Sequence, residues 1–598
     1  MARLTVAPAI VVLGAGALPV AERIRARYQG ATIHALAGRA EGDVAFSELG
    51  AHLRALYARG NPVVALCAAG IVIRCVAPCL ADKGVEPPVL AVAEDGSAVV
   101  PLLGGLTGVN LLAREIAETL GVAPAITTSG ELRFGACVLN PPEGYALADI
   151  GAGKRFVSDL LAGASTRVDG AAPWLEGVAL PVDAAGSHAI RVTPRRAGGA
   201  GSGELLIHPR SVVVALAEGF AHQVESLATP AQAADHEAGG DPLARRILDA
   251  LAAADLSPLA LAALVAPRQC MREAALARAA RELGVPLRFV ASEADPAGDA
   301  AALLDAALAA GSIDASPAIT LDDHGKPSKS LAIAIAEAPV DANRLGQARG
   351  SLTVLGLGPG RADLLAPAAR LALAEATDIL GYATYVRMAG PFRADQRVHE
   401  TDNREELQRA RHAFELAAQG RRVAMVSSGD PGVFAMAAAV LEALDGAGEP
   451  AWDEVALEVV PGVSAAFATA AEAGAPLGHD FCVISLSDNL KPWSVIEERL
   501  ALAARADLVM AFYNPISKAR PWQLDRALEI LREIRAADTV VVLGRDVGRP
   551  GASLRSLTLG ELRAADVDMR TMVIVGSSKT RRFASAEREW IYTPRFYD

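Results

Sequence analysis

The residues best suited to chemistry sit in three glycine-centred turns: VLGLGPG (354–360), SSGDPGVF (427–434) and VVPGVSAAF (459–467). Each follows a short apolar run and opens a helix-like segment. Ligands of open α/β sheets bind at such strand ends, where small residues let a flat molecule lie against bare backbone. Asp430 accepts from a ligand amine or ribose, or caps the next helix; on physics alone capping is the stronger reading. A fourth turn of the same shape opens the chain, VVLGAGALPVAERI (11–24). None of the four completes a dinucleotide fingerprint, which needs G-x-G-x-x-G. Arg361 stands where the third glycine belongs after Gly356, and Pro359 removes an N–H from the turn; in the first turn Pro19 takes the third glycine's place. Cations collect nearby. Arg387, Arg393, Arg397 and Arg404 crowd one short stretch, and Lys491, Lys518 and Arg520 follow strand ends. Such groups hold carboxylates by paired hydrogen bonds, or simply form a solvated face.

The elements that position these turns alternate strand and helix. After residue 350 the strands read SLTVLGLG, RRVAMVSSG (421–429), LEVVPG (457–462), ADLVMAFYNP (506–515), DTVVVLGRD (538–546) and RTMVIVGSS (570–578), with helical stretches between most of them. Upstream, 63–73, 98–106 and 123–128 read as short strands or turns, and 111–121 as a helix closed by glycine. This predicts an α/β fold of several domains with mostly parallel sheet. Breaks are expected at 195–204 (a hairpin or linker), 228–242 and 340–350. The domains are then 1–132, 133–210, 211–339 and 350–598, the last with lobes of about 350–465 and 466–598.

Bulk properties exclude several classes. With 598 residues, several cores are required. The balance of 57 basic against 69 acidic residues argues against general nucleic-acid binding. No gap-free apolar run suggests a membrane span. The six cysteines lack a C-x-x-C pair, and Cys75 with Cys79 has no second pair to complete a metal site, so no metal is expected and the thiols suit a reducing cytoplasm.

The motifs G-x-G-P-G, S-G-D-P-G, P-G-V-S-A and Y-N-P (513–515), in that order, resemble the tetrapyrrole methylases. TDNREELQRARHAFELAAQGRRVAMVSSGDPGVFAMA (401–437), SLSDNLKPWSVIEERL (485–500) and AFYNPISKARPWQ (511–523) resemble more narrowly the precorrin-3B C(17)-methyltransferase branch. The resemblance implies a two-lobed fold with S-adenosylmethionine in the cleft between lobes. It implies methylation of precorrin-3B at C-17 with ring contraction to precorrin-4, in cobalamin biosynthesis. Pro359, Gly429, Asp430, Phe434, Ser464 and Ala465 would line the cofactor pocket, with Tyr513, Asn514, Arg545, Thr571 and Met572 from the second lobe. No residue identifies itself as the general base. The expected assembly is a homodimer through this half.

The stretch 66–128 resembles the cobalt-precorrin-5A hydrolase family at Gly70, Ile71, Arg74, Ala77, Pro78, Lys83, Pro88, Gly96, Asn110, Leu112, Ala113, Thr127 and Thr128. Arg74, Lys83, Asn110, Thr127 and Thr128 are its candidate site residues. One departure matters: the family's G-H-x-G-A-N reads G-L-T-G-V-N here (105–110), so Leu106 replaces a histidine able to move protons. The chain reads as a fusion of two corrin-pathway modules, the first degraded. The competing readings are a bifunctional methyltransferase and lactone hydrolase, an N-terminal half that only carries or docks the tetrapyrrole, and, weakest, a nicotinamide oxidoreductase. The 11–24 turn is then the first βα unit of the hydrolase-like module and binds no nucleotide.

Overall fold

The computed structural model describes residues 7–28, 30–80, 86–196, 203–227, 240–291, 299–320, 329–390, 392, 395–402, 405–585 and 588–596. Three candidate residues, Lys83, Arg393 and Arg404, lie outside them, as do most of the 195–204 and 228–242 breaks. The chain forms two compact units, one built from residues 1–349 with 391–395 and one from residues 350–390 and 396–598.

The first unit opens with β1 (Ala9–Val12), β2 (Thr32–Leu36), β3 (Val44–Phe46), β4 (Val63–Leu66), β5 (Val89–Val92) and β6 (Val99–Leu103). Their order is β3-β2-β1-β4-β5-β6, and only β6 runs antiparallel to its neighbour. β1, β4 and β5 are buried throughout, which is why they read as unbroken apolar runs. The 63–73 run is not all strand. After Leu66 it turns into a helix, Ala69–Val76, that buries Val72 and Val76 and exposes Ile73 and Arg74. The buried pair is four residues apart, the period of a helix rather than a strand. Residues 123–128 also form no strand; one isolated bridge joins Pro124 to Val99. The helix expected over 111–121 spans Val109–Leu120 and ends at Gly121, whose φ of 75° favours glycine.

A second sheet joins β7 (Tyr145–Leu147), β8 (Thr166–Asp169), β9 (His188–Val192) and β10 (Glu204–Pro209) in the order β7-β10-β9-β8. β9 and β10 pair in parallel, so they are not the two arms of a hairpin. A third joins β11 (Val212–Leu216), β12 (Leu261–Pro267), β13 (Leu287–Val290), β14 (Ile319–Thr320) and β15 (Leu331–Ile335) in the order β13-β12-β11-β15-β14. The 340–350 segment is no free linker. Leu345 is fully buried in this domain's core, and Gln347 exchanges two backbone hydrogen bonds with Phe289 of β13, at 2.7 and 2.9 Å.

The second unit has two lobes. β16 (Ser351–Gly356), β17 (Asp378–Tyr382), β18 (Arg397–Thr401), β19 (Arg422–Ser427) and β20 (Ala456–Val460) form a wholly parallel sheet in the order β18-β17-β19-β16-β20. β21 (Gly474–Ala475) pairs with a terminal hairpin described below. β22 (Phe481–Ser485), β23 (Val509–Tyr513), β24 (Val540–Arg545), β25 (Ser553–Thr558) and β26 (Thr571–Val575) follow in the order β22-β23-β26-β24-β25. Here only β22 and β23 are parallel, which corrects the expectation of mostly parallel sheet for this lobe. Most of β23 and β24 and all of β26 are buried, and a doubly covered strand carries no mark of its direction. The hairpin of β27 (Arg581–Ser585) and β28 (Arg588–Tyr592) completes the small third sheet with β21.

The first domain buries a histidine pair. Nδ1 of His34 in β2 lies 2.8 Å from Nε2 of His52, and Thr32 Oγ1 is 2.9 Å from the other nitrogen of His34. Phe46 stacks on His52, 4.5 Å between centroids. One hydrogen bridges the two rings when both are neutral. Burial, then the neighbouring His52, pushes His34 down to about 4, against the pull of Asp43 and with that of Arg59; burial and Arg59 lower His52. The unfolded chain therefore takes up protons first. The stability this pair contributes is complete above about pH 6.5 and is lost as pH falls toward 4, on the order of 3 kcal/mol for His34. Calorimetry of the full chain between about pH 7 and pH 4.5 should show the first unit's transition dropping with acid. His34→Leu should melt lower at neutral pH but show much less of that acid dependence.

Candidate functional site

The ends of β16, β19 and β20 meet through glycine. A Cβ on Gly356 would lie 2.3 Å from the Gly429 carbonyl oxygen and 3.0 Å from Gly462 Cα; a Cβ on Gly462 would lie 2.2 Å from the same oxygen. Gly358 and Gly429 exchange backbone hydrogen bonds at 3.1 and 2.8 Å, which welds the first turn to the second. Asp430 welds the second to the third. Its Oδ1 accepts from Gly432 N at 2.8 Å and its Oδ2 from Gly462 N at 3.1 Å. It braces loops rather than capping the next helix, Met436–Asp445, whose N-cap is Ala435.

The second lobe adds side chains to this floor. The Tyr513 hydroxyl, at the end of β23, is hydrogen-bonded to Ser464 Oγ and accepts from Ala466 N at 3.2 Å, at the start of helix Ala465–Ala473. Phe434 stands 51% exposed with its ring 5.3 Å from that of Tyr513. Asn514 donates to Ser485 Oγ at 3.1 Å. Phe434, Asn514 and Asp546 are three of six non-glycine residues with positive φ among the described residues, and all three follow strand ends here. Such backbone persists where a site over-determines it. Arg545 spends its charge on Asp568 (2.9 Å) and Asp546 (3.1 Å), and Thr571 opposite it donates to Asp568 at 2.8 Å. Met572 is buried against Ala466 and Ala470. Thus the eleven cofactor candidates gather around one end of the two sheets, with Arg545, Thr571 and Met572 serving its framework.

The substrate candidates scatter. Arg397 starts β18, about 13 Å of strand away from the turn end of its sheet. Arg387 donates to Ala383 O of its own helix at 3.2 Å. Arg520 is buried and holds the Y-N-P turn through Asn514 O at 3.0 Å, so it is not free for a carboxylate. Lys518 is exposed, and Lys491 is half-buried, its amine lowered by burial and by Arg499. Sequence reasoning missed Arg549. Its Nε donates to Pro359 O at 3.0 Å and its Nη2 to Ser428 Oγ at 3.1 Å, joining two turns of the first lobe to the second. Nothing in the local VGRPG stretch announces this.

In the first unit, Asn110 is buried and donates to Thr128 Oγ1 (3.0 Å) and Glu131 Oε1 (2.6 Å), while Arg114 pairs with Glu131 at 2.7 Å. Glu131 and Arg114 were not foreseen; the pairing closes only when two helices meet. Arg74 and Thr127 are exposed, and Leu106 is 39% exposed in its turn. In the 11–24 turn, a Cβ on Gly16 would lie 3.0 Å from Glu94 Oε1, so a carboxylate stands where a pyrophosphate would need positive surroundings. Among the described residues no three His, Cys, Asp or Glu side chains form a metal-binding group, and no helix is long and apolar enough to cross a membrane.

The glycine contacts rank substitutions. Gly462→Ala forces a Cβ into a carbonyl oxygen and should cost roughly 1–3 kcal/mol and abolish binding of S-adenosylhomocysteine. Gly429→Ala meets nothing closer than 3.7 Å and should cost about 1–2 kcal/mol, from its φ of 67°, and keep measurable binding. Calorimetric titration and melting of both variants check this order.

Comparison with known proteins agrees with this architecture. The model of the tetrapyrrole (corrin/porphyrin) methylases matches residues 351–563, and that of the cobalamin synthesis G N-terminal family matches 51–131. The chain is 53% identical over 249 residues to a precorrin-3B C(17)-methyltransferase of Sinorhizobium sp, covering 42% of this chain and 97% of that one. It is 46% identical over 285 residues to the cobalamin biosynthesis protein CobIJ of Mycobacterium tuberculosis (strain ATCC 25618 / H37Rv), covering 47% of this chain and about half, 54%, of that one. Among solved structures, the methyltransferase CobJ is matched over 41% of this chain and all of its own length, at 52% identity and a TM-score of 0.39. The chain belongs to the tetrapyrrole methylases.

Proposed function

We propose that the chain transfers a methyl group from S-adenosylmethionine to C-17 of precorrin-3B, with ring contraction to precorrin-4, in cobalamin biosynthesis. The observation that carries this reading is the convergence of the three glycine turns with Tyr513 and Asn514, in the stretch that matches a precorrin-3B C(17)-methyltransferase almost end to end. The residues present fit the cofactor. The approach to Gly429 is open above Ser464 and Ala465, and Phe434 with Tyr513 offers an aromatic wall that attracts a cationic sulfonium. When bound, S-adenosylmethionine supplies an electrophilic methyl group. The chain's own part is positioning: welded loops hold one geometry, and aligned reactants remove much of the entropic barrier.

The N-terminal half is read as a tetrapyrrole-holding module without hydrolytic power. Leu106 can neither accept a proton nor orient water, and Asn110 is already engaged by Thr128 and Glu131. Incubating the full chain with precorrin-3B and S-adenosylmethionine should give a product heavier by one methylene; unchanged substrate mass would sink the main reading. Given the lactone-bearing intermediate instead, the same chain should release acetaldehyde only at background, and robust release would establish a bifunctional enzyme.

The six free cysteines fit a cytoplasmic setting. The second unit is read as a homodimer, because Val459, Phe467, Phe481 and Phe583 stand 38–50% exposed on it. Light scattering should report a dimer, and Phe467→Arg should shift it toward monomer; a monomeric wild type would overturn this assembly.

A further inference from the structure

Arg549 has a geometry that its two protein contacts do not exhaust. Nε and Nη2 form one edge of the guanidinium, and that edge is committed to Pro359 O and Ser428 Oγ. The other edge, Nη1 with the second hydrogen of Nη2, makes no hydrogen bond or ion pair among the described residues. A guanidinium edge is the shape that takes both oxygens of a carboxylate. The placement is built in. A Cβ on Gly360 would lie 2.9 Å from Arg549 Cγ, and a Cβ on Gly548 would lie 2.8 Å from Pro359 Cβ. The arginine is thus wedged between the first glycine turn and the second lobe, at the strand ends where the ligand cleft lies.

Tyr385 comes from the adjacent strand end. Its helix, Ala383–Ala389, starts where β17 ends, next to the β19 turn that carries Ser428. The Tyr385 hydroxyl has no hydrogen-bond partner among the described residues. Burial holds the phenol protonated, more strongly than the field of Arg549 pulls it down; Tyr382, Glu406 and Arg409 are the other titratable groups that act on it. Arg409 is occupied with Thr401 Oγ1, Asp402 O and Met436 Sδ. A free guanidinium edge and a free phenol donor, brought to neighbouring strand ends, select for an anion with two oxygens.

We propose that Arg549 and Tyr385 form a subsite that receives one carboxylate arm of the tetrapyrrole. The subsite deepens the methyltransferase reading and rests on it for the identity of the arm's owner. It explains why a cation without a counter-charge among the described residues is packed between the turns. Because the other edge of Arg549 holds Pro359 and Ser428, occupation of the subsite also tightens the two turns that face the cofactor.

The test uses the full chain and uroporphyrin, a flat octacarboxylate, with its octamethyl ester as the uncharged control. Binding is read by porphyrin fluorescence, and S-adenosylhomocysteine binding by calorimetry. Tyr385→Phe disturbs no hydrogen bond of the loops; it should weaken uroporphyrin several-fold and leave S-adenosylhomocysteine unchanged. Arg549→Gln should weaken uroporphyrin by more than tenfold, with Arg549→Lys recovering part of the loss at low salt, and ester binding should not respond to any of the three variants. Equal uroporphyrin affinity in wild type, Tyr385→Phe and Arg549→Gln would overturn the subsite. So would an Arg549→Gln defect confined to S-adenosylhomocysteine affinity and melting temperature, which would make the arginine a latch alone. A chain that binds uroporphyrin through these residues but does not methylate precorrin-3B would fail the functional reading and keep the subsite.

Discussion

The second unit depends on one constraint: three strand ends must touch through backbone. Gly356, Gly429 and Gly462 leave no room for a Cβ at two of the three positions, and the Gly429 carbonyl oxygen sits at the centre of the contact. Parallel strands β16, β19 and β20 bring their ends to one side of the sheet, so the loops that follow compete for the same space. Glycine settles that competition by removing side chains, and the Gly358–Gly429 pair and Asp430 then lock the loops with four short hydrogen bonds. Buried backbone groups in such a place must find partners, and here they find each other.

The rest of the site is arranged around this weld. Tyr513 reaches from the second lobe to the start of helix Ala465–Ala473, and Arg549 reaches from the same lobe to Pro359 and Ser428. Both lobes therefore hold the same three turns. The paired charges of Arg545, Asp546, Asp568 and Arg570 fix the strand ends behind them. What is left facing the cleft is backbone, two aromatic rings and a few unspent donors, a surface suited to a cationic cofactor and an anionic macrocycle.

The N-terminal unit shows the opposite economy. Its first sheet has strand ends and a glycine turn, but Glu94 stands beside that turn and the polar residues of the G-L-T-G-V-N helix are consumed internally. Leu106 is 39% exposed in the G-L-T-G-V-N turn.

Much of this was legible in the residues. Glycine spacing, strand–helix alternation and the order of four motifs determined the fold class, the methylase half and the set of residues that gather at the strand ends, because each is a local property: a turn needs its glycine whatever surrounds it. The sequence misjudged what depends on partners. It read 63–73 as a strand or turn, missing the helix from Ala69, because a buried helix turn and a buried strand are both short apolar runs. It could not see that β24 and β26 run antiparallel, because burial on both faces erases direction. It nominated arginines by crowding, yet Arg397 lies at the far end of its sheet and Arg520 is buried in a turn. Arg549, distant in sequence and unremarked in composition, reaches Pro359 and Ser428 only when the second lobe closes on the β16 and β19 turns. Which cation faces the cleft is decided by strand order and chain crossing, and no local pattern records that.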